Sequence, residues 1–258
     1  MSNFKIPIIV NVFIFCFNEE ILLPHTINHY KRCLPNCIIT IIDNMSNDSS
    51  EEISKLKACK VIKFDTGGKM NEFKKIDMAN NIWKNYKKGW VIIADMDEWL
   101  CVTEKDLLNE NSKGSTILKV KGINMIGKSE RNDLKDIDLH NLYRGLDNDY
   151  ESKNMCFNSK YVNEINFSIG QHTCDPKGKI NFSNITYINK HMEQLGKEWI
   201  LRKIKERRKR RMKEYSNVNV HYLQSETKII DNYNKHLIQG YLITDIIKWN
   251  LINFGLLN

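Results

Sequence analysis

Two aspartates one residue apart, Asp95 and Asp97, close the apolar run Trp90-Val91-Ile92-Ile93-Ala94. The chain must turn where a buried strand gives way to acids, and both carboxylates can then face one point. Such a pair supplies hard oxygen ligands for Mg²⁺ or Mn²⁺, ions that take few protein carboxylates and complete their shells with phosphate oxygens and water. An ion held there would neutralise charge on a departing diphosphate. The plainer alternative is that the acids cap the next helix. The buried strand before them and two similar polar strand ends nearby favour the chemistry. Glu98 reads instead as structural, turned toward the backbone.

The elements that position this pair are read outward from it. Residues 6–17 form a β-rich apolar run, as in a strand buried on both faces of a parallel sheet. Asn18 and Glu19 end it. A helix is expected over 20–32 and a strand over 37–42. The turn Asp43-Asn44-Met45-Ser46-Asn47-Asp48 follows, dense in Asx and Ser caps. Helix 49–57, strand 60–64, a Gly67-Gly68 break and helix 71–86 lead to the strand at 90–94. Right-handed crossovers turn this βαβαβαβ order into a parallel sheet under helices. Ligands bind such sheets at the carboxyl ends of their strands. Asn18-Glu19, Asp43-Asn44 and Asp95-Asp97 all fall at those ends, so three segments converge on one rim. Beyond residue 100, strands are expected at 115–120, 165–169 and 185–188. A strong helix is expected at 198–215, with one or two more between 225 and 254.

Composition narrows the class. Hydrophobic residues at 41% and charged residues at 27% describe a globular chain, neither disordered nor fibrous. The longest apolar stretch, 6–17, falls well short of the ~20 residues of a membrane span. Acidic Glu19 and Glu20 stand where a signal-peptide cleavage site would be. Seven scattered cysteines without a two-residue gap point to a reduced, cytoplasmic protein. Residues 197–213 hold ten basic side chains against two acidic ones, so the whole +8 excess sits in one predicted helix. A basic amphipathic helix can lie on an anionic membrane, bind nucleic acid or contact diphosphates; the bland reading is a docked helix with a solvated face. Residues 207–211 are dense enough to suggest an anionic membrane surface, whereas nucleic acid is disfavoured because no aromatics interleave with the basic run. There is no GxGxxG, P-loop, HExxH or GxSxG, which removes support for dinucleotide oxidoreductases, P-loop kinases, zincins and serine hydrolases.

At residues 11–50 and 80–100 the sequence resembles the GT-A glycosyltransferases of the family 2 type. The resemblance is carried by Phe15-Cys16-Phe17-Asn18-Glu19-Glu20, by Ile41-Ile42-Asp43-Asn44-Met45-Ser46-Asn47-Asp48, and by Asn81-Ile82-Trp83-Lys84 with Trp90-Val91-Ile92-Ile93-Ala94-Asp95-Met96-Asp97-Glu98. It implies a nucleoside-diphosphate sugar donor, most often a UDP-sugar, and Mn²⁺ or Mg²⁺ on Asp95 and Asp97. It also implies that Phe15, Phe17, Asn18 and Glu19 contact the nucleotide, and that Asp43, with Asn44 and Ser46, reads the base. A carboxylate accepting from an imide N–H is sensible chemistry for Asp43; an Asx turn is the alternative, and one residue can serve both. Lys74 or Lys75 can approach the nucleotide or remain solvated.

The segment His191-Met192-Glu193-Gln194-Leu195-Gly196-Lys197-Glu198-Trp199 is similar to one in metal-dependent GT-A enzymes. There the His completes the metal shell and the Lys, here Lys197, meets the diphosphate; Met192 stands where those enzymes have an aromatic. His172 is the rival ligand. Family 2 enzymes invert the sugar, so a base must take the acceptor's proton. The candidates are Glu164, His172, Asp147 and Asp149.

These readings describe an α/β GT-A domain over 1–258, with a nucleotide-sugar half (1–114), an acceptor half (115–221) and a helical tail (222–258). The expected activity moves a sugar to a glycan, lipid-linked or protein acceptor. The rivals are a sugar nucleotidyltransferase, whose Gly-rich nucleotide loop is missing here, and a non-catalytic binding module built on the basic helix.

Overall fold

The computed structural model of the chain describes residues 8–129, 134, 137–212 and 220–255. The ends of two expected elements, 6–7 and 213–215, lie outside the described residues. The first half alternates as expected: β1 (Val10–Cys16), α1 (Leu23–Cys33), β2 (Ile38–Asp43), α2 (Ser50–Leu56), β3 (Lys60–Lys63), α3 (Glu72–Asn81) and β4 (Trp90–Asp95). Strands β3, β2, β1 and β4 lie side by side and parallel, with β1 between β2 and β4. Alternate residues of β1 enter two different cores. Val10, Val12 and Ile14 pack on one side and Phe13 and Phe15 on the other. That two-sided burial is why the run lacks polar alternation. Register brings Cys16 opposite Asp43, and Phe15 opposite Asp95, so the three polar strand ends do share one rim.

The second half widens the sheet to ten strands. It adds β5 (Glu98–Cys101), α4 (Glu104–Lys113), β6 (Ile117–Ser129), β7 (Arg144–Asp147), β8 (Cys156–Asn158), the small pair β9 (Val162–Glu164) and β10 (Lys177–Gly178), and β11 (Phe182–Gly196). Helices α5 (Lys197–Arg210) and α6 (Glu226–Gln239), strand β12 (Tyr241–Leu242) and helix α7 (Thr244–Phe254) complete the order. Antiparallel β8 sits between β4 and β6, while β11 runs parallel to β6 and antiparallel to β5. The sheet is mixed, with helices packed over it, and belongs to the α/β class expected. No helix among the described residues is long and apolar enough to cross a membrane.

Two expectations need correction. No strand forms over 165–169: Ile165 and Phe167 are buried, but the segment is a loop with one bridge from Phe167 to Cys174. Its alternation reflects burial with a single bridge and no ladder. The strands expected at 115–120 and 185–188 are fragments of β6 and β11, which are 13 and 15 residues long.

The Asp95–Asp97 turn is anchored to α1 through Thr26. Its hydroxyl donates to the Met96 carbonyl (2.8 Å) and accepts from the Trp99 indole N–H (2.9 Å), all fully buried. Thr26→Val keeps the shape but strands both partners, and should cost about 1–3 kcal/mol. Thr26→Ser should retain most of it. Urea unfolding of the two variants checks this.

Candidate active site

The turn between β4 and β5 places the acids. Glu98 is buried, and its Oε2 accepts from the Asp95 N–H at 2.7 Å, which folds the carboxylate back onto the backbone as anticipated. Its other oxygen meets the buried Lys153 ammonium at 2.5 Å, and Lys153 also reaches Glu151 at 3.0 Å. Burial pushes the Glu98 carboxyl up, to about 7, against the pull of Lys153. Burial also opposes ionisation of Glu151, but His191 and Lys153 outweigh it and hold that carboxyl at about 2. Gly122 makes this triad reachable: a Cβ there would come within 2.4 Å of the Glu151 carbonyl carbon, so only glycine lets that turn lie against β6.

Strand β11 brings His191 to the same turn. It pairs His191 with Glu98 on one side and Asn124 on the other, and the Met192 N–H donates to the Asp97 carbonyl at 2.6 Å. His191 Nδ1 lies 2.7 Å from Asn124 Oδ1, which orients the ring so that Nε2 faces Asp97 Oδ2 at 3.8 Å. Burial lowers the imidazole's pKa, but the carboxylates of Glu151, Asp97, Glu193 and Glu98 outweigh it and raise it.

The other two strand ends are stitched together. Asn18 adopts a left-handed φ of 51°, a conformation that Asn tolerates better than most residues. Its N–H donates to Ser46 Oγ, and its amide exchanges hydrogen bonds with Asn47. The Glu19 N–H donates to Ser50 Oγ. Asp43 is buried behind this rim, one oxygen accepting from Ser46 and the other from Lys63 at 2.6 Å.

A cleft of about 870 Å³, open mouth included, runs along this rim. Phe15, Phe17, Glu19, Asn44, Asp95 and Asp97 line one wall. The opposite wall is α5, which contributes Lys203, Glu206, Arg207 and Arg210. These stand at i, i+3, i+4 and i+7, one helical face. Arg207 donates to Asp97 (3.0 Å) and Glu193 (3.1 Å), Lys203 pairs with Glu19, and Arg210 stacks on Phe17 with its guanidinium 3.4 Å from the ring centroid. From α3, Lys75 pairs with Asp95 at 2.6 Å. Burial opposes the ionised Asp95, but Lys75, Lys153 and Arg207 hold its carboxyl well below the usual range. Burial and then Arg207 press the Lys203 ammonium down, to about 7; burial lowers Arg210 to about 10.

The structure therefore gathers Phe15, Phe17, Glu19, Asn44, Asp95 and Asp97 in one cleft, with His191 beside Asp97. Asn18, Asp43 and Ser46 brace the rim without lining the cleft. Lys197 is exposed at the start of α5, and Lys203, almost two turns on, occupies the cleft. Glu164 is paired with Lys84 at 2.6 Å, and His172 Nδ1 lies 2.6 Å from the Tyr150 carbonyl; neither lines the cleft. Lys75, not Lys74, enters it. Much of the basic face expected to meet a membrane is thus turned toward the acids. The i, i+3, i+4, i+7 spacing of 203–210 carried that signal, whereas nothing local marked Lys153 as a partner of Glu98.

Among the described residues no three His, Cys, Asp or Glu side chains form a closed metal-binding group. The donor set still suits a hard divalent ion, with two carboxylates on one turn and an imidazole oriented through its Nδ1. The 3.8 Å between His191 Nε2 and Asp97 Oδ2 is too long for a hydrogen bond, yet within the span of two metal–ligand bonds of about 2.1 Å.

No protein-family model matches the sequence, and no curated protein does. Among solved structures, S. aureus TarS is similar over 71% of this chain and 37% of its own, with 14% identity and a TM-score of 0.45. TarS 1-349 is similar over 76% of this chain and 64% of its own, at 13% identity and a TM-score of 0.44. Glucosyl-3-phosphoglycerate synthase from Mycobacterium tuberculosis, in complex with Mn²⁺, UDP and glucosyl-3-phosphoglycerate, matches 44% of this chain and 43% of its own at 12% identity and a TM-score of 0.32. The chain thus spans less than two thirds of these proteins. At such scores the likenesses carry no weight for activity.

Lys153 is the only ammonium within reach of the buried Glu98 carboxylate among the described contacts. Lys153→Met should destabilise the protein by about 3–5 kcal/mol, as removal of one partner leaves a buried charge uncompensated. Adding Glu98→Gln should recover part of that loss, since an amide oxygen can still accept from the Asp95 N–H. A double-mutant cycle in urea measures the coupling.

Proposed function

We propose that the cleft binds a nucleoside-diphosphate sugar together with Mn²⁺ or Mg²⁺ and transfers its glycosyl group to an acceptor. One observation carries the reading. Three buried or half-buried cations of α5 face a pair of strand-end carboxylates across one cleft. Acids alone would suit a metal and cations alone an anion; opposed in one cleft they suit an anion held through a metal.

Asp95, Asp97 and His191 would hold the ion, which would offset charge on the departing diphosphate. Lys203, Arg207 and Arg210 meet the phosphate oxygens directly, and guanidinium groups give paired, charge-assisted hydrogen bonds there. The nucleoside lies toward Phe15, Phe64 and Asn44, the apolar end of the cleft, where Asn44 supplies a polar contact. Asp43 stands behind that wall and supports it through Ser46. Uridine is the nucleoside expected from the sequence resemblance.

Thermal unfolding with a panel of nucleoside diphosphates, each with and without Mn²⁺, tests this. Ligand at a hundred times its dissociation constant adds about 2.7 kcal/mol. The midpoint should rise with UDP only when Mn²⁺ is present, and the rise should vanish in Asp97→Ala. Arg210→Ala should weaken UDP by roughly 10–150-fold, the worth of a charged hydrogen bond. A midpoint indifferent to every nucleotide would remove the proposal.

A further inference from the structure

A second pocket opens between β11, α5 and α6. It encloses about 560 Å³, mouth included. Ile200, Ile204 and Ile229 form an apolar floor, and Gln194, Asn232 and His236 give it neutral polar edges. His236 Nδ1 sits 2.7 Å from Gln194 Oε1, and the Asn232 amide donates to Gln224 at 3.3 Å. No lysine or arginine lines it among the described residues. Apolar floor, amide edges and no fixed cation suit the C–H face and hydroxyls of an uncharged sugar or polyol better than a phosphate.

Glu193 joins this pocket to the donor cleft. It lines the pocket, and the guanidinium that holds it also holds Asp97. The pairing of β11 with β6 slips between His191 and Gln194. Such a bulge re-aims side chains, so consecutive Glu193 and Gln194 both reach the pocket although neighbours on a regular strand point to opposite faces. Glu193 is about one-third exposed, open to an incoming hydroxyl, unlike buried Glu98 and Glu151.

Resting on the donor reading above, we infer that the second pocket is the subsite of a neutral polyhydroxyl acceptor and that Glu193 is its catalytic base. A lone pair of the acceptor oxygen forms the new bond to the donor's anomeric carbon. The bond from that carbon to the diphosphate oxygen breaks, its electron pair leaving on the phosphate. The acceptor's O–H proton passes to the Glu193 carboxylate, which ends as a neutral acid. Arg207, which bonds both Glu193 and Asp97, ties the base to the wall of the donor cleft.

The test follows UDP release from UDP-glucose and UDP-GlcNAc with Mn²⁺, in water and with free glucose, GlcNAc or glycerol as acceptors, for the full chain and Glu193→Gln. Binding of UDP with Mn²⁺ is measured in parallel by thermal shift. Glu193→Gln should lower release 10²- to 10⁴-fold with an unchanged UDP shift, and Asn232→Ala should raise the acceptor's KM more than it lowers kcat. A rate kept in Glu193→Gln, or lost in Glu164→Gln instead, overturns the assignment. So does a protein that binds UDP but turns over neither donor. If wild type shows no nucleotide shift, the donor reading itself fails.

Discussion

One guanidinium, that of Arg207, holds the acidic rim together. Asp95, Asp97, Glu98, Glu151 and Glu193 are crowded around one turn, and like charges so placed and partly desolvated repel strongly. The protein answers with three cations drawn from three distant parts of the chain: Lys75 on Asp95, Lys153 between Glu98 and Glu151, and Arg207 between Asp97 and Glu193. Of these, Arg207 alone ties α5 to both the β4–β5 turn and β11. Lys203, paired with Glu19 at the end of β1, fixes the same helix to a second strand end.

The same arrangement explains how so many buried charges are tolerated. Buried ion pairs contribute little net stability, because desolvation offsets their attraction, but an unpaired buried charge is severely destabilising. The cations therefore act as placeholders. Asp95 and Asp97 are already neutralised by Lys75 and Arg207. On the proposed reading, an incoming metal diphosphate would exchange these pairs for equivalent ones. Trp199, fully buried one turn before Lys203, and the Thr26–Trp99 contact hold helix and turn in place.

How much of this was legible in the residues differs from element to element. The strand at 90–94 and the acids after it were plain, because two-sided burial demands an unbroken apolar run and only a strand end can then present charge. Convergence of the three strand ends followed from parallel pairing. The pairing of β6 with β11 was not legible, since those strands lie more than fifty residues apart and their polar and apolar residues alternate irregularly. Ile165 and Phe167 misled for a related reason, as a loop can bury alternate residues without acquiring a strand partner. The basic helix was visible as charge, and its facing toward the acids lay in the spacing of Lys203, Arg207 and Arg210. Glu193 was hidden, for the bulge that turns it is a property of two strands and not of one.

The central claim is that acids and cations share one metal–diphosphate site. Crystals grown with UDP and Mn²⁺ and measured at a wavelength where manganese scatters anomalously would locate the ion directly. A single anomalous peak within coordination distance of Asp97 and His191, with Arg207 moved from Asp97 onto the diphosphate, is the predicted result. A peak elsewhere, or a diphosphate bound with Arg207 still on Asp97 and no ion beside it, would contradict the account.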